Sequence, residues 1–154
     1  MMKSIAGLML AAVLVLGTGA ATYSQYDYGK PASPAAGPGG GVKAQLKTAI
    51  THAGFAASGD SAGYVRQHLG HALNCIEGPN GKNFNRAWGH VCQGQGNGIL
   101  QDLRSAPGGA TFTIVVEHAD SLAAAGVTRN DLAEAKAAAK ATQALLAVID
   151  GGLK

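Results

Sequence analysis

Residues 64–92, YVRQHLGHALNCIEGPNGKNFNRAWGHVC, decide how this chain folds. The stretch contains three of the five histidines, both cysteines and the single tryptophan. Its first part has the apolar spacing of an amphipathic helix. Gly78 and Pro79 end that helix, because proline removes a backbone donor and glycine permits positive φ. The stretch therefore predicts a helix followed by a long loop.

Cys75 and Cys92 predict a disulfide that ties this loop back to the helix. Sixteen residues lie between the two cysteines, and closing a loop of that size stabilises a folded chain by about 3 kcal/mol. A thiolate metal pair is the alternative, but the spacing is not C-x-x-C. The sequence also lacks C-x-x-C-H, which excludes covalently attached haem.

Four segments have the apolar spacing of helices. The sequence predicts them over residues 42–57, 62–76, 110–125 and 128–149. Asp60 or Ser61 is the predicted N-cap of the second helix, and Thr128 that of the fourth. Residues 111–116, TFTIVV, also suit a strand, but the chain offers a lone strand no partner. The pattern predicts an all-α fold, an antiparallel four-helix bundle whose disulfide-pinned loop joins helices two and three.

The N-terminal region predicts export. Lys3, an apolar run over residues 5–16 and small residues over 17–21 are typical of a secretory signal peptide, assigned to residues 1–21. The run is shorter than the ~20 residues that span a membrane, so we expect no stable membrane insertion after cleavage. Residues 22–41 have the Pro/Gly/Ala-rich composition of a disordered linker, and residues 42–154 form the bundle domain. The expected location is periplasmic or secreted, where disulfides persist.

Composition and motifs exclude several classes of function. Twelve basic and nine acidic side chains are scattered along the chain, and this does not make the clustered patch of a nucleic-acid-binding protein. The glycines of GQGNG, residues 94–98, lack the spacing of a phosphate-binding loop. No serine has a nucleophile-elbow context, and a disulfide would leave no free thiol. We therefore expect no enzymatic activity.

The histidines are the candidate functional residues. At 100° per residue, His68 and His71 lie beside the apolar stripe of the second helix. His52 and His118 lie roughly 100–110° from the apolar centres of the first and third helices. Neutral imidazole is a borderline ligand that suits Zn, Cu, Ni and Fe, and helical bundles build metal sites from side chains on facing helices. The pattern predicts a transition-metal site formed by His68, His71, His118 and His52.

Two acidic residues next to His118, Glu117 and Asp120, are candidates to ligate the ion or to orient an imidazole. His90, in the disulfide loop, could cap an open site or lie on the loop surface. A second hypothesis is non-covalent haem b with two axial histidines, His118 with His52 or His68. A third is a structural or interaction module that binds no ligand.

Overall fold

The computed structural model describes residues 40–154, which form five α-helices and contain no strand. The helices are α1 (Val42–Ser58), α2 (Ala62–Glu77), α3 (Ile99–Asp102), α4 (Thr113–Gly126) and α5 (Leu132–Gly152). Short 3₁₀ turns cover Arg86–Trp88 and Gly109–Phe112. The all-α prediction is confirmed. The predicted signal peptide and nearly all of the predicted linker lie outside the described residues.

The core is built from small and branched aliphatic side chains shared by the long helices. α1 packs against α2 and α5, α4 packs against α5, and α2 also contacts α4 and α5. Ala49 and Ala53 of α1 and Ala135 and Ala139 of α5 are fully buried, and their small side chains let these two helices approach closely. The largest buried aliphatic residues are Leu46, Leu69, Leu73, Ile76, Ile99, Leu103, Leu146 and Ile149.

The N-caps explain where two helices begin. Ser61, one of the two residues predicted to cap the second helix, caps α2 with its side chain. The prediction for the last helix was wrong, because Asp131 caps α5 by accepting a hydrogen bond from the Glu134 N–H at 2.9 Å. Thr128 instead belongs to the turn that closes α4, where its hydroxyl donates to the Ala125 carbonyl at 2.7 Å.

Residues 111–116 are helical. The 3₁₀ turn Gly109–Phe112 leads directly into α4, so the third predicted helix is confirmed and starts three residues later than expected. The Phe112 ring packs against Gly152 near the end of α5, where no Cβ could fit. Of residues 111–116, Val116 is buried in the core and Ile114 is exposed.

The loop over residues 78–98 is fixed at both ends. The predicted Cys75–Cys92 disulfide is present, with the two Cα atoms 5.4 Å apart. At the glycine-rich end, the buried Gln45 side chain of α1 accepts from the Gly98 N–H at 2.9 Å. The same side chain donates to Asp102 Oδ2 at 2.7 Å. Gly96 packs against the Gln45 side chain of α1, and Gly98 packs against the end of α2, where a Cβ would overlap Glu77.

The four long helices each have a buried and an exposed side. α5, the longest at 21 residues, buries Ala135 and Leu146 and exposes Glu134 and Lys140. Across residues 40–154, no helix combines the length and the apolar character that crossing a bilayer requires.

Candidate metal centre

Three histidines meet where α1 faces α2. His52 lies in the second half of α1, and His68 and His71 lie one turn apart on α2. Residues 59–61 join the two helices. His52 lies eight residues before Asp60, and His68 lies eight residues after it. A short connection brings residues at equal distances from it side by side, so His52 reaches the pair on α2.

The ring nitrogens of this cluster, which we call the histidine triad (His52, His68 and His71), converge. Nδ1 of His52 lies 3.1 Å from Nδ1 of His68 and 3.2 Å from Nδ1 of His71. One ring nitrogen of each residue lies within 4.8 Å of the other two. Two nitrogens bonded to one tetrahedral ion at about 2.0–2.1 Å are about 3.3 Å apart. The three histidines are close enough to bind a single metal ion.

Hydrogen bonding alone accounts poorly for this convergence. A neutral imidazole has one N–H and one bare nitrogen, so Nδ1 of His52 has a single hydrogen or a single lone pair for two neighbours. Both neighbours also present Nδ1. A cation between the rings would instead accept a lone pair from each of the three nitrogens.

The surroundings keep the triad neutral. Burial, followed by the nearby charges of His71 and His68, lowers the pKa of His52 from 6.5 to about 4. Burial and then His71 lower the pKa of His68, and burial lowers that of His71. Because a metal ion binds the unprotonated imidazole, the rings are in the ligand form at neutral pH.

The disulfide loop sets the orientation of His71. A hydrogen bond with the Trp88 backbone raises the pKa of His71 and opposes part of the effect of burial. A bond that raises an imidazole pKa is one that the ring N–H donates, so the Trp88 carbonyl accepts it. Nε2 of His71 faces this loop, 3.8 Å from where a Cβ on Gly89 would lie. An N–H at Nε2 leaves Nδ1 bare, as in metal-binding histidines whose second nitrogen donates to a carbonyl.

Several contacts hold this part of the loop on α2. The fully buried Asn74 donates from Nδ2 to the carbonyls of Asn85 and Gly89, each at 2.7 Å. Its Oδ1 accepts from the Asn85 N–H at 2.8 Å. The Trp88 ring lies directly on Gly70, where a Cβ would overlap it. The loop is thus fixed to the helix that bears His68 and His71.

Asn74 and Gly70 support the site without having been predicted to do so. Two signals could have drawn attention to them. Glycine inside a helix costs about 1 kcal/mol relative to alanine, so Gly70 between two histidines indicates a close contact. An asparagine next to the apolar stripe needs partners for its buried amide, and the backbone of a neighbouring loop can supply them.

Two exposed aromatic side chains border the triad. The Tyr64 ring lies 4.3 Å from the His68 ring, measured between centroids. The Phe55 ring lies 5.7 Å from that of His52 and 5.4 Å from that of His68. Phe55 is 45% exposed and Tyr64 43% exposed, and the triad itself is half-buried. The cluster is therefore at the protein surface, within reach of solvent.

The other two predicted histidines lie elsewhere. His118 is exposed on α4, and its Nδ1 donates to the Ile114 carbonyl of the same helix at 2.7 Å. His90 packs its ring against Phe84, 5.1 Å between centroids. In the part of the chain that the structure describes, the group of histidines, cysteines and acids able to share an ion is the triad alone. Neither His118 nor His90 belongs to it.

The two predicted acidic partners also have other surroundings. Glu117 is exposed. Asp120 is buried on α4 and faces Glu77 at the end of α2, and Glu77 accepts a hydrogen bond from Asn83 Nδ2 at 2.6 Å. Burial, followed by the charge of Glu77 and a hydrogen bond with it, raises the pKa of Asp120 from 3.8 to about 7, against a smaller lowering by Lys82.

The haem hypothesis gains no support from this arrangement. Axial imidazoles bind iron from opposite sides of a macrocycle, and the Nδ1 atoms of His52 and His68 are only 3.1 Å apart. The predicted pairings use His118, which lies exposed on α4 outside the triad.

Comparison with protein-family models, with curated proteins and with solved structures finds no match for this chain. The chemistry of the triad therefore carries the functional argument. Three neutral nitrogen donors of borderline softness suit Zn, Cu, Ni and Fe. Calcium and magnesium prefer oxygen ligands, and the triad contains none.

Proposed function

We propose that this protein binds one transition metal ion through Nδ1 of His52, His68 and His71. The observation that carries the proposal is the convergence of these atoms, at 3.1 and 3.2 Å from His52. Their neutral state and the carbonyl that orients His71 support it. The role is binding of a metal, without catalysis.

The proposed setting is outside the cytoplasm, in the periplasm or as a secreted protein. The disulfide supports this location, because such bridges persist in oxidising compartments and are rare in the cytosol. We also propose that α1, α2, α4 and α5 form an antiparallel four-helix bundle. The packing of α1 against α2 and α5, and of α4 against α5, supports that arrangement.

Metal analysis of protein purified without a polyhistidine tag tests the proposal. We expect one tightly bound ion per chain after loading with zinc, copper or nickel and removal of excess. The combined substitution His52→Ala, His68→Ala and His71→Ala should remove it. Each single substitution should weaken binding by more than about a hundredfold, since even residues that only orient a ligand contribute 10–100-fold.

The double substitution His90→Ala and His118→Ala is the matched control, because it removes two imidazoles outside the triad. It should retain the ion at unchanged affinity. Equal metal content in the wild-type protein and the triple variant would contradict the proposal and favour a structural module. A Soret band after incubation with haem, lost in His118→Ala, would favour the haem alternative.

A further inference from the structure

The triad supplies three donors, and most transition-metal sites in proteins use at least four ligands. Among residues 40–154 no other histidine, cysteine, aspartate or glutamate belongs to the group. In residues 1–39 the sequence contains one residue of these four types, Asp27. The chain therefore has few means of completing the coordination of an ion on the triad.

The environment of the triad determines what would fill the remaining position. The three donors are neutral, so a divalent ion bound to them retains its full charge of +2. Phe55 and Tyr64 are the aromatic neighbours, and the triad is half-buried. No carboxylate or thiolate of the described residues shares the cluster to neutralise that charge. A net positive ion beside solvent attracts an anionic ligand.

We propose, building on the metal-binding function above, that the ion keeps an exchangeable coordination position open to solvent, and that this position binds a small monodentate anion. Water occupies the position when no such anion is present. Three imidazoles with an open fourth position are also the arrangement in which zinc lowers the pKa of bound water to about 7, so hydroxide competes with other anions as the pH rises.

Cobalt(II) spectroscopy with azide as the probe tests this inference. Cobalt(II) gives visible d–d bands whose intensity and position report coordination number and ligand type. The full-length protein loaded with CoCl2 should show intense bands of a four-coordinate ion. Titration with sodium azide should change these bands saturably, and chloride at the same ionic strength should compete. The change should be larger at lower pH, where hydroxide competes less.

The outcomes separate this inference from the proposed function. A protein that binds no cobalt, or whose triple histidine variant binds as much, contradicts the proposed function itself. If the protein binds cobalt at the triad and azide leaves its absorption bands unchanged, only the open coordination position is contradicted. The variants Asp27→Asn and Tyr64→Phe test whether either side chain is the fourth ligand of the ion. If azide acts only in one of these variants, that side chain closes the site and the inference is wrong.

Discussion

At the scale of single residues, the centre depends on which ring nitrogen of each histidine is bare. Nδ1 is the nearer nitrogen to the backbone, so its use places the ion close to the helices and fixes it with few rotatable bonds. Nε2 of His71 faces the disulfide loop, and its Nδ1 is directed at His52. The same closeness of three rings disfavours protonation, because each charge would repel the next.

The lowered pKa values predict an unusual pH dependence of metal binding. Three imidazoles with the ordinary pKa of about 6.5 would lose up to about a thousandfold in affinity per pH unit below that value, since three protons compete with the ion. The pKa of His52 is lowered to about 4, and the pKa values of His68 and His71 are lowered too. We therefore expect the loss of affinity to begin at lower pH.

Isothermal titration with zinc from about pH 7.5 to about pH 5 checks this, with the ordinary imidazole pKa of about 6.5 as reference. We expect a nearly constant affinity down to pH 6.5 and a decline only below it. A decline that is already under way at pH 6.5, where ordinary imidazoles are half-protonated, would show that the rings titrate as free imidazoles do.

At the scale of elements, the disulfide loop supports the helix that carries two of the three ligands. Asn74, the Trp88 ring and the disulfide all attach it to α2. The loop in turn orients His71. Changes in this support should therefore appear both in stability and in metal affinity, although none of these side chains is a proposed ligand.

Gly70→Ala tests the contact between α2 and the loop. A Cβ at this position would overlap the Trp88 ring, and forcing a methyl group into packed surroundings costs about 1–3 kcal/mol. We expect a lower free energy of unfolding, a changed tryptophan emission spectrum and weaker zinc binding. The measurements are chemical denaturation, fluorescence and titration of the same samples.

Gly63→Ala is the control on the same helix. A Cβ there would contact nothing within 4 Å, and alanine is the better helix former by about 1 kcal/mol. This variant should be equally or more stable than the wild-type protein and should bind zinc normally. If Gly70→Ala behaves in the same way, the close packing of Trp88 on α2 is not required.

Removal of the disulfide tests the loop as a whole. Substituting both Cys75 and Cys92 with alanine should lower the free energy of unfolding by about 3 kcal/mol, because the unfolded chain regains the entropy of an open loop. Alanine introduces no thiol that could bind the ion. We also expect weaker zinc binding than in wild-type protein, under conditions where both are folded. Unchanged affinity would mean that the loop orients His71 without the bridge.

At the scale of the whole molecule, a buried pair of acids connects α2 and α4 on a different part of the fold from the triad. Asp120 and Glu77 are 5% and 7% exposed. Two carboxylates in contact can form a hydrogen bond only when one carries a proton, and the raised pKa of Asp120 describes that shared proton. The charge of Lys82 acts in the opposite direction and lowers the pKa of Asp120.

This pair predicts that stability falls as the pH rises towards neutrality. The folded protein holds the proton of Asp120 up to about pH 7, and the unfolded chain releases it near 3.8. Between these values the folded state binds more protons, so its stability decreases by at most about 1.4 kcal/mol per pH unit and levels off above the folded pKa. Asp120→Asn, which stays neutral, should lack this decrease.

Denaturation curves of the wild-type protein and Asp120→Asn across this range provide the measurement. The histidines contribute an opposite slope in both proteins, which cancels in the difference between them. Asp60→Asn, at an exposed position in the α1–α2 connection, is the control and should follow the wild-type curve. Parallel curves for wild type and Asp120→Asn would show that no proton is shared.

Much of the fold could be predicted from the sequence, because apolar spacing and caps act locally. Helical periodicity predicted the long helices to within a few residues, and two cysteines allow a single pairing. The start of α5 was missed because Thr128 and Asp131 both suit an N-cap, and the backbone turn at the end of α4 decides between them. Residues 111–116 suited both a helix and a strand, and the contact of the Phe112 ring with the distant Gly152 is not contained in any local pattern.

The candidate site could be predicted in part for the same reason. The helical phase of His68 and His71 follows from their spacing of three residues. The approach of His52 depends on how α1 lies against α2, and the position of His118 on how α4 is rotated. The contacts of Asp120 with Glu77 and of Trp88 with Gly70 join residues far apart in sequence. These are tertiary relations, and periodicity does not encode them.

Anomalous diffraction from crystals of the zinc-loaded protein tests whether one ion binds Nδ1 of all three triad residues. We expect a single peak at the zinc edge, about 2.0–2.1 Å from Nδ1 of His52, His68 and His71. A peak bonded to Nε2 atoms, a peak away from the triad, or no peak in fully loaded crystals would contradict it.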